Sequence, residues 1–381
     1  MSEFLTTAVA QLQVMNLLET RISLTAIAAN TASIKKMVAP AKLMCVVKAD
    51  AYNHGAVQAA RVMEENGADQ FGVATIDEAL ELRAGGITRP ILCWIWSTTQ
   101  ENKAIAAIEA GIDLAVVSIA HARLVSELSL RIAPTRVTVK VDTGLHRSGV
   151  DEKDWEEVFT MLRDAEGVEV TGIFSHLACA DEVDNPYNDL QADTFRRAIA
   201  CGRKLGLDLP INHLSNSPAT LTRPDLRFDM VRPGIALYGL EPVAGYDHGL
   251  QEAMSWVGKV TVVKPIRKGE TTSYSRTWAA PEDGFTAVVP AGYADGLPRA
   301  AQGHLQVTID GHHYPQVGRV CMDQFVIFLG KNEHGVAPGD EAVIFGPDGV
   351  SSTVLAEAMG TINYELVCRP TGRTRRVVIG A

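Results

Sequence analysis

Between residue 29 and about residue 245, short apolar runs alternate eight times with longer stretches of helical period, and few folds accommodate that rhythm. The runs are KLMCVV (42–47), QFGVAT (70–75), ILCWIW (91–96), DLAVVS (113–118), RVTVKV (136–141), VEVTGIF (168–174), INHLS (211–215) and MVRPGIALYG (230–239). Continuous rather than alternating apolar character suits parallel strands buried on both faces. Segments between them, such as IDEALELRAGG and DEKDWEEVFTMLRDAEG, begin acidic and carry glycine just past the end, as helices do. A closed (β/α)8 TIM-type barrel satisfies the count. A doubly wound open sheet is the alternative, and no GxGxxG follows the first run to favour it.

After about residue 248 the texture changes. KVTVVKPI, FTAVVP, HLQVTID, QFVIFL and EAVIFG are short, β-branched and separated by KGE, DGH and PGD turns, which predicts a C-terminal mostly-β domain. The expected division is an N-terminal extension at 1–20, a barrel at 21–248 and a β-rich domain at 249–381. A first strand near 21–28 is a candidate to pair with the β domain.

The chain has 381 residues, 46% of them hydrophobic and 21% charged, the balance of a globular protein with ample core. A net charge of -10 argues against nucleic acid or an anionic membrane as partner, and leaves a small molecule as the expected ligand. The six cysteines are scattered without metal-ligand spacing, so no metal is expected and a reducing, cytoplasmic setting is. The first residues open with Glu3 rather than a basic segment and are interrupted by Gln11, Gln13 and Asn16, unlike a secretion signal.

Catalytic groups of such barrels sit where strands end. Lys48 follows the first run, with Tyr52 four residues on; Lys140 lies in the fifth, followed by Asp142 and Arg147. His176 follows the sixth, Asn216 and Ser217 the seventh, and Arg232, Gly234 and Ile235 belong to the eighth. Each alone also fits a structural role: a strand-end histidine is often simply hydrogen-bonded in place, and a strand-end lysine often snorkels to water. Their collection on one rim favours chemistry. Loops after the last two strands commonly form a phosphate site, for which Ser217 and the Gly234–Ile235 turn are candidates. A phosphate opposite a desolvated lysine points to pyridoxal 5'-phosphate (PLP), held by its phosphate and by an imine to Lys48.

Eight blocks extend this reading: VVKADAYNHG, KVDTGLHRSG, HLSNSPA, VRPGIALYG, SYSRTW, GYADGLPR, GRVCMDQ and TINYELVCRP. In order and spacing the chain resembles the alanine racemase family, fold-type III PLP enzymes, over its length after residue 20. The resemblance implies that Lys48 is the cofactor lysine and the base for D-alanine. It implies that Tyr274, from the other subunit of a homodimer with shared active sites, is the base for L-alanine. Tyr52, Ser217, Gly234, Ile235 and Tyr364 match phosphate-binding positions, and Asn216 stands beside them. Arg232 matches the residue facing the pyridine nitrogen, and His176 links it to Tyr274. Arg147 and Met322 match contacts to the substrate carboxylate. Lys140 matches a lysine carbamylated in some members. Tyr293, Arg299, Arg319, Ile362 and Asp181 match an access corridor.

These roles are chemically coherent, because two bases on opposite faces return a Cα proton from either side. An arginine at the ring nitrogen leaves it unprotonated and so restrains side reactions. Two positions depart from the family pattern: Asn53 and Ser275 stand where glycine is usual. Trp94 and Trp96 are bulkier than the common aliphatics and suit either the cofactor ring or the core. The competing readings are a racemase of broader or serine specificity and a non-catalytic PLP-binding protein. The second lacks a β domain, which residues 250–381 argue against.

Overall fold

The computed structural model describes residues 16–380. They form two compact units: Leu24–Glu252, and the described residues up to Ser23 together with those from Ala253 onward. Most of the expected N-terminal extension falls outside the described residues. Its end does not remain an extension, because Leu18–Ser23 is strand β1 of the second unit. The strand expected near 21–28 therefore starts earlier and stops at Ser23. From Leu24 the alanine-rich sequence is helical to Val38, burying Ala26, Ile27, Asn30, Thr31, Ile34 and Val38 at three- and four-residue spacing.

In the first unit a parallel sheet contains β2 (Lys42–Val46), β3 (Gln70–Val73), β4 (Ile91–Cys93), β5 (Asp113–Val116), β6 (Thr135–Lys140), β7 (Val168–Phe174) and β8 (Met230–Val231). Its order is β7-β6-β5-β4-β3-β2-β8. The expected strand at 211–215 is instead a single bridge between Phe174 and His213. Pro210 brings no N–H, and the Asn212 side-chain oxygen, rather than a carbonyl, takes the Ile173 N–H at 3.1 Å. The segment still closes the barrel. Ile211 and His213 donate to Thr171 O and Ile173 O on one side, while Asn212 O and Ser215 O accept from Asp229 N and Arg232 N on the other. Closure needs glycine at 172, where a Cβ would fall 1.6 Å from Ile211 O. The eighth run is also shorter than read: strand ends at Val231, and Gly234 and Ile235 belong to the turn into a short helix, Ile235–Tyr238.

Met44, Leu92, Ala115, Phe174 and Met230 fill the barrel interior, each large side chain contributing about 1.5–3 kcal/mol by leaving water. Trp94 packs on this core. Gly72 makes room for it, since a Cβ there would lie 2.6 Å from the indole. Trp96 is core as well, donating its indole N–H to Ala115 O at 2.8 Å. Helices cover the outside; the one at Ile76–Ala84 starts with a reciprocal cap between Thr75 and Glu78.

The second unit adds β9 (Met254–Lys259), β10 (Val262–Ile266), a small pair β11 (Thr271–Thr272) and β12 (Trp278–Ala279), and β13 (Gly284–Val289). These are followed by β14 (Gln306–Ile309), β15 (His312–Val317), β16 (Phe325–Gly330), β17 (Glu341–Phe345) and β18 (Arg375–Ile379). Nine strands form one sheet in the order β10-β13-β16-β15-β14-β17-β9-β1-β18. β1 is parallel to β18 and antiparallel to β9, and Arg21 on β1 grips Glu341 of β17 with two bonds of 2.7 and 2.6 Å. No helix among the described residues is long and apolar enough to cross a membrane.

Candidate active site

Lys48 leaves the end of β2 into a turn of unusual hand. Ala49, Asp50, Ala51, Tyr52 and Asn53 all have φ between 52 and 67°, the left-handed region that costs ordinary L-residues roughly 1–2 kcal/mol each. The surroundings over-determine it. Val47 O accepts from Ala51 N, Asp50 O from Gly55 N, the Asp50 carboxylate from Ala56 N, and the Glu78 carboxylate from Ala49 N. His54 lies within 2.9 Å of both Ala51 O and Tyr52 O and stacks on Tyr238, whose hydroxyl donates to Val46 O. Asn53, at φ 67°, is a residue that tolerates this hand. Strain held this firmly is characteristic of functional sites.

The turn keeps Tyr52 close to Lys48, whose Nζ lies 5.9 Å from its ring. The Tyr52 hydroxyl sits where a Gly234 Cβ would be, at 2.2 Å, so only glycine fits. Ser217 joins them, its Oγ accepting from Gly234 N at 2.8 Å. Tyr52, Ser217 and Gly234 thus converge, with Ile235 next in the turn. Asn216 is committed locally, capping the helix Ser217–Thr222 through Ala219 N.

Arg232 is deeply buried. Its guanidinium donates to His213 O at 2.9 Å and Ser175 O at 2.6 Å, and lies 3.1 Å from His213 Nδ1 and 3.4 Å from His176 Nδ1. Burial lowers it to about 9, so it remains a cation at neutral pH. Burial and the neighbouring Arg232, Arg147, Lys140 and Lys48 push His176 down to about 3, and burial with Arg232 takes His213 well below the ordinary range. Both rings are therefore neutral. Because a guanidinium only donates, each Nδ1 facing it must accept, which puts the proton of each ring on Nε2. Lys140 donates to Ser148 Oγ at 2.6 Å; burial, then Arg147 and Arg232, bring it down to about 8. Arg147 itself is exposed at the rim.

Other expected residues belong to the second unit. Tyr274 is 70% exposed between Ser273 and Ser275, both with positive φ. Ser275 thus adopts the conformation a glycine would take. Met322 and Tyr293 are also largely exposed and adjacent: Met322 O accepts from Ala294 N, and Cys321 O from Tyr293 N. Arg299 and Arg319 line a cleft of about 490 Å³ with Ala300 and Gln302. Ile362 is exposed and Tyr364 partly so, whereas Asp181 belongs to the first unit.

His213 and Ser175 are functional neighbours that sequence reasoning missed. His213 carried a signal, as a polar residue inside the apolar run INHLS and the first residue of HLSNSPA. Ser175 carried none.

Comparison with known proteins accounts for both units. The family model for the alanine racemase N-terminal domain matches residues 22–242, and that for the C-terminal domain residues 253–378. The chain is 68% identical over 366 residues to the alanine racemase of Corynebacterium efficiens, covering 96% of this chain and 99% of that one. It is 60% identical over 365 residues to that of Corynebacterium glutamicum, covering 96% and 100%. The solved C. glutamicum structure superposes with a TM-score of 0.87 at 57% identity, covering 96% of this chain and 100% of that one. The alanine racemase of D-cycloserine-producing Streptomyces lavendulae gives 0.91 at 39% identity, covering 96% and 98%. The chain belongs to the alanine racemase family.

Proposed function

We propose that the protein interconverts L- and D-alanine with PLP, using Lys48 and the Tyr274 of a second copy as its two bases. The observation that carries this reading is the buried Arg232, bonded to two carbonyls and facing two neutral histidines beside the Tyr52–Ser217–Gly234 cradle. The cradle fits a phosphate group and the donor-only guanidinium fits an unprotonated ring nitrogen. Tyr52, Ser217, Gly234, Ile235 and Tyr364 would hold the phosphate, and Lys48 would engage the aldehyde. When bound, the cofactor would spread the electron pair left as the alanine Cα proton departs.

The remaining work falls to the chain. Lys48 Nζ moves the proton at one face of Cα and the Tyr274 phenol oxygen at the other. His176 is too weak a base to compete for that proton, yet its Nε2–H is available to a phenolate. Arg232, behind His176, adds the positive field that a tyrosine needs to act as a base near neutral pH. Arg147 and the Met322 backbone hold the substrate carboxylate. The 70% exposure of Tyr274, with Met322 and Tyr293 exposed nearby, supports a homodimer in which these side chains face the partner.

Purified protein supplied with PLP is expected to turn yellow and to racemise either alanine enantiomer. Borohydride reduction and peptide mapping should then tag Lys48. A colourless protein, or a tag elsewhere, would overturn the reading.

A further inference from the structure

Gln191 is buried at 0% exposure on the helix Tyr187–Lys204. Its amide is fully employed. The oxygen accepts from Ala178 N at 2.8 Å, and the nitrogen donates to His176 O and Thr143 Oγ1, each at 3.1 Å. Thr143 Oγ1 lies 2.8 Å from Ser175 Oγ, which donates to Val141 O. One side chain therefore pins the segment around His176 at two backbone points and ties it to the loop that carries Arg147. Ser175 O, at the head of this segment, is the acceptor that orients Arg232. An apolar residue would fill the space behind the strand ends without the desolvation cost of an amide, so the polarity serves these bonds.

We propose that Gln191 is a positioning residue for the proton chain: it holds Ser175–Ala178 so that His176 Nδ1 keeps accepting from Arg232 and the ring proton stays on Nε2. The inference rests on the racemase reading above. The charged groups around His176 are Arg232, Arg147, Lys140 and Lys48, with Asp142 beside Lys140, and none of them replaces the Gln191 bonds.

The test uses the holoenzyme of Gln191→Met, which preserves volume and removes the amide. The expected result is a kcat about 10- to 100-fold lower in both directions, the cost of a small misplacement, with KM for alanine within about twofold. Nitrogen-15 histidine NMR, with the His176 signal assigned by its loss in His176→Gln, should show an Nε2–H ring in the parent and a mixture of tautomers in the variant. Unchanged kcat and tautomer would overturn the proposal, as would a rise in KM alone. Should Gln191→Met fail to fold, Thr143→Val is expected to lower kcat and disturb the tautomer, while Thr143→Ser, which keeps the hydroxyl, retains half or more of the rate. Equal behaviour of that pair would also overturn it. A parent holoenzyme without racemase activity would sink the functional reading, while the tautomer readout would still judge Gln191.

Discussion

Arg232 and Tyr274 represent two regions built on opposite terms. In the barrel unit the guanidinium is 6% exposed, bonded to two carbonyls and facing two imidazoles. In the β unit the phenol is 70% exposed on a short turn, flanked by residues with positive φ. The barrel completes its own electrostatics within one chain. The β unit presents aromatic and sulfur-bearing side chains outward, as surfaces made for a partner do. The contrast fits the proposed reading, in which one copy carries the Arg232 network and the phosphate cradle and lends its second base to another copy.

The strongest attempt to break this contrast is Tyr274→Phe. Racemisation should fall by roughly 10²- to 10⁴-fold in both directions with the cofactor retained. Mixed with Lys48→Ala, inactive by itself, it should regain up to about a quarter of wild-type activity, because random exchange gives some dimers one intact site. Measuring rates before and after subunit mixing checks this; no regain would mean that both bases act within one copy. A smaller effect is expected from Gly234→Ala, whose methyl would strike the Tyr52 hydroxyl. The PLP dissociation constant, followed by absorbance, should weaken about 10- to 100-fold, in line with 1–3 kcal/mol of overpacking. Undiminished affinity would remove the cradle from the barrel's half of the contrast.

A further expected effect concerns pH. Lys140 falls to about 8 in the fold against an ordinary value of 10.5, so the unfolded chain binds more protons between those limits. Its contribution to stability therefore rises with pH across that window and is constant below it. Denaturant unfolding of wild type against Lys140→Met from pH 8 to 10.5 should show this slope in the wild type only. Parallel curves would mean that the amine is no more desolvated than a surface lysine.

Lys48, Lys140 and Arg232 were legible in the sequence because each places a cation in or just after an apolar run, where a reason is required. Tyr274 and Met322 carry no such signal and were identified by resemblance to a family. Gln191 and Ser175 were invisible: their importance lies in bonds to Thr143, His176 and Arg232, which only the fold brings together. The alternation predicted the barrel, yet not that Ile211–Ser215 would close it by a single bridge. That outcome depends on the Asn212 side chain substituting for backbone. Nor did Ala49–Tyr52, with no glycine among them, announce a left-handed turn.

In the proposed reading, that turn sets where Tyr52 meets Gly234. A backbone in the disfavoured hand persists only while its partners hold it, so removing the Asp50 or His54 bonds is expected to relax the segment and shift Tyr52 relative to Gly234.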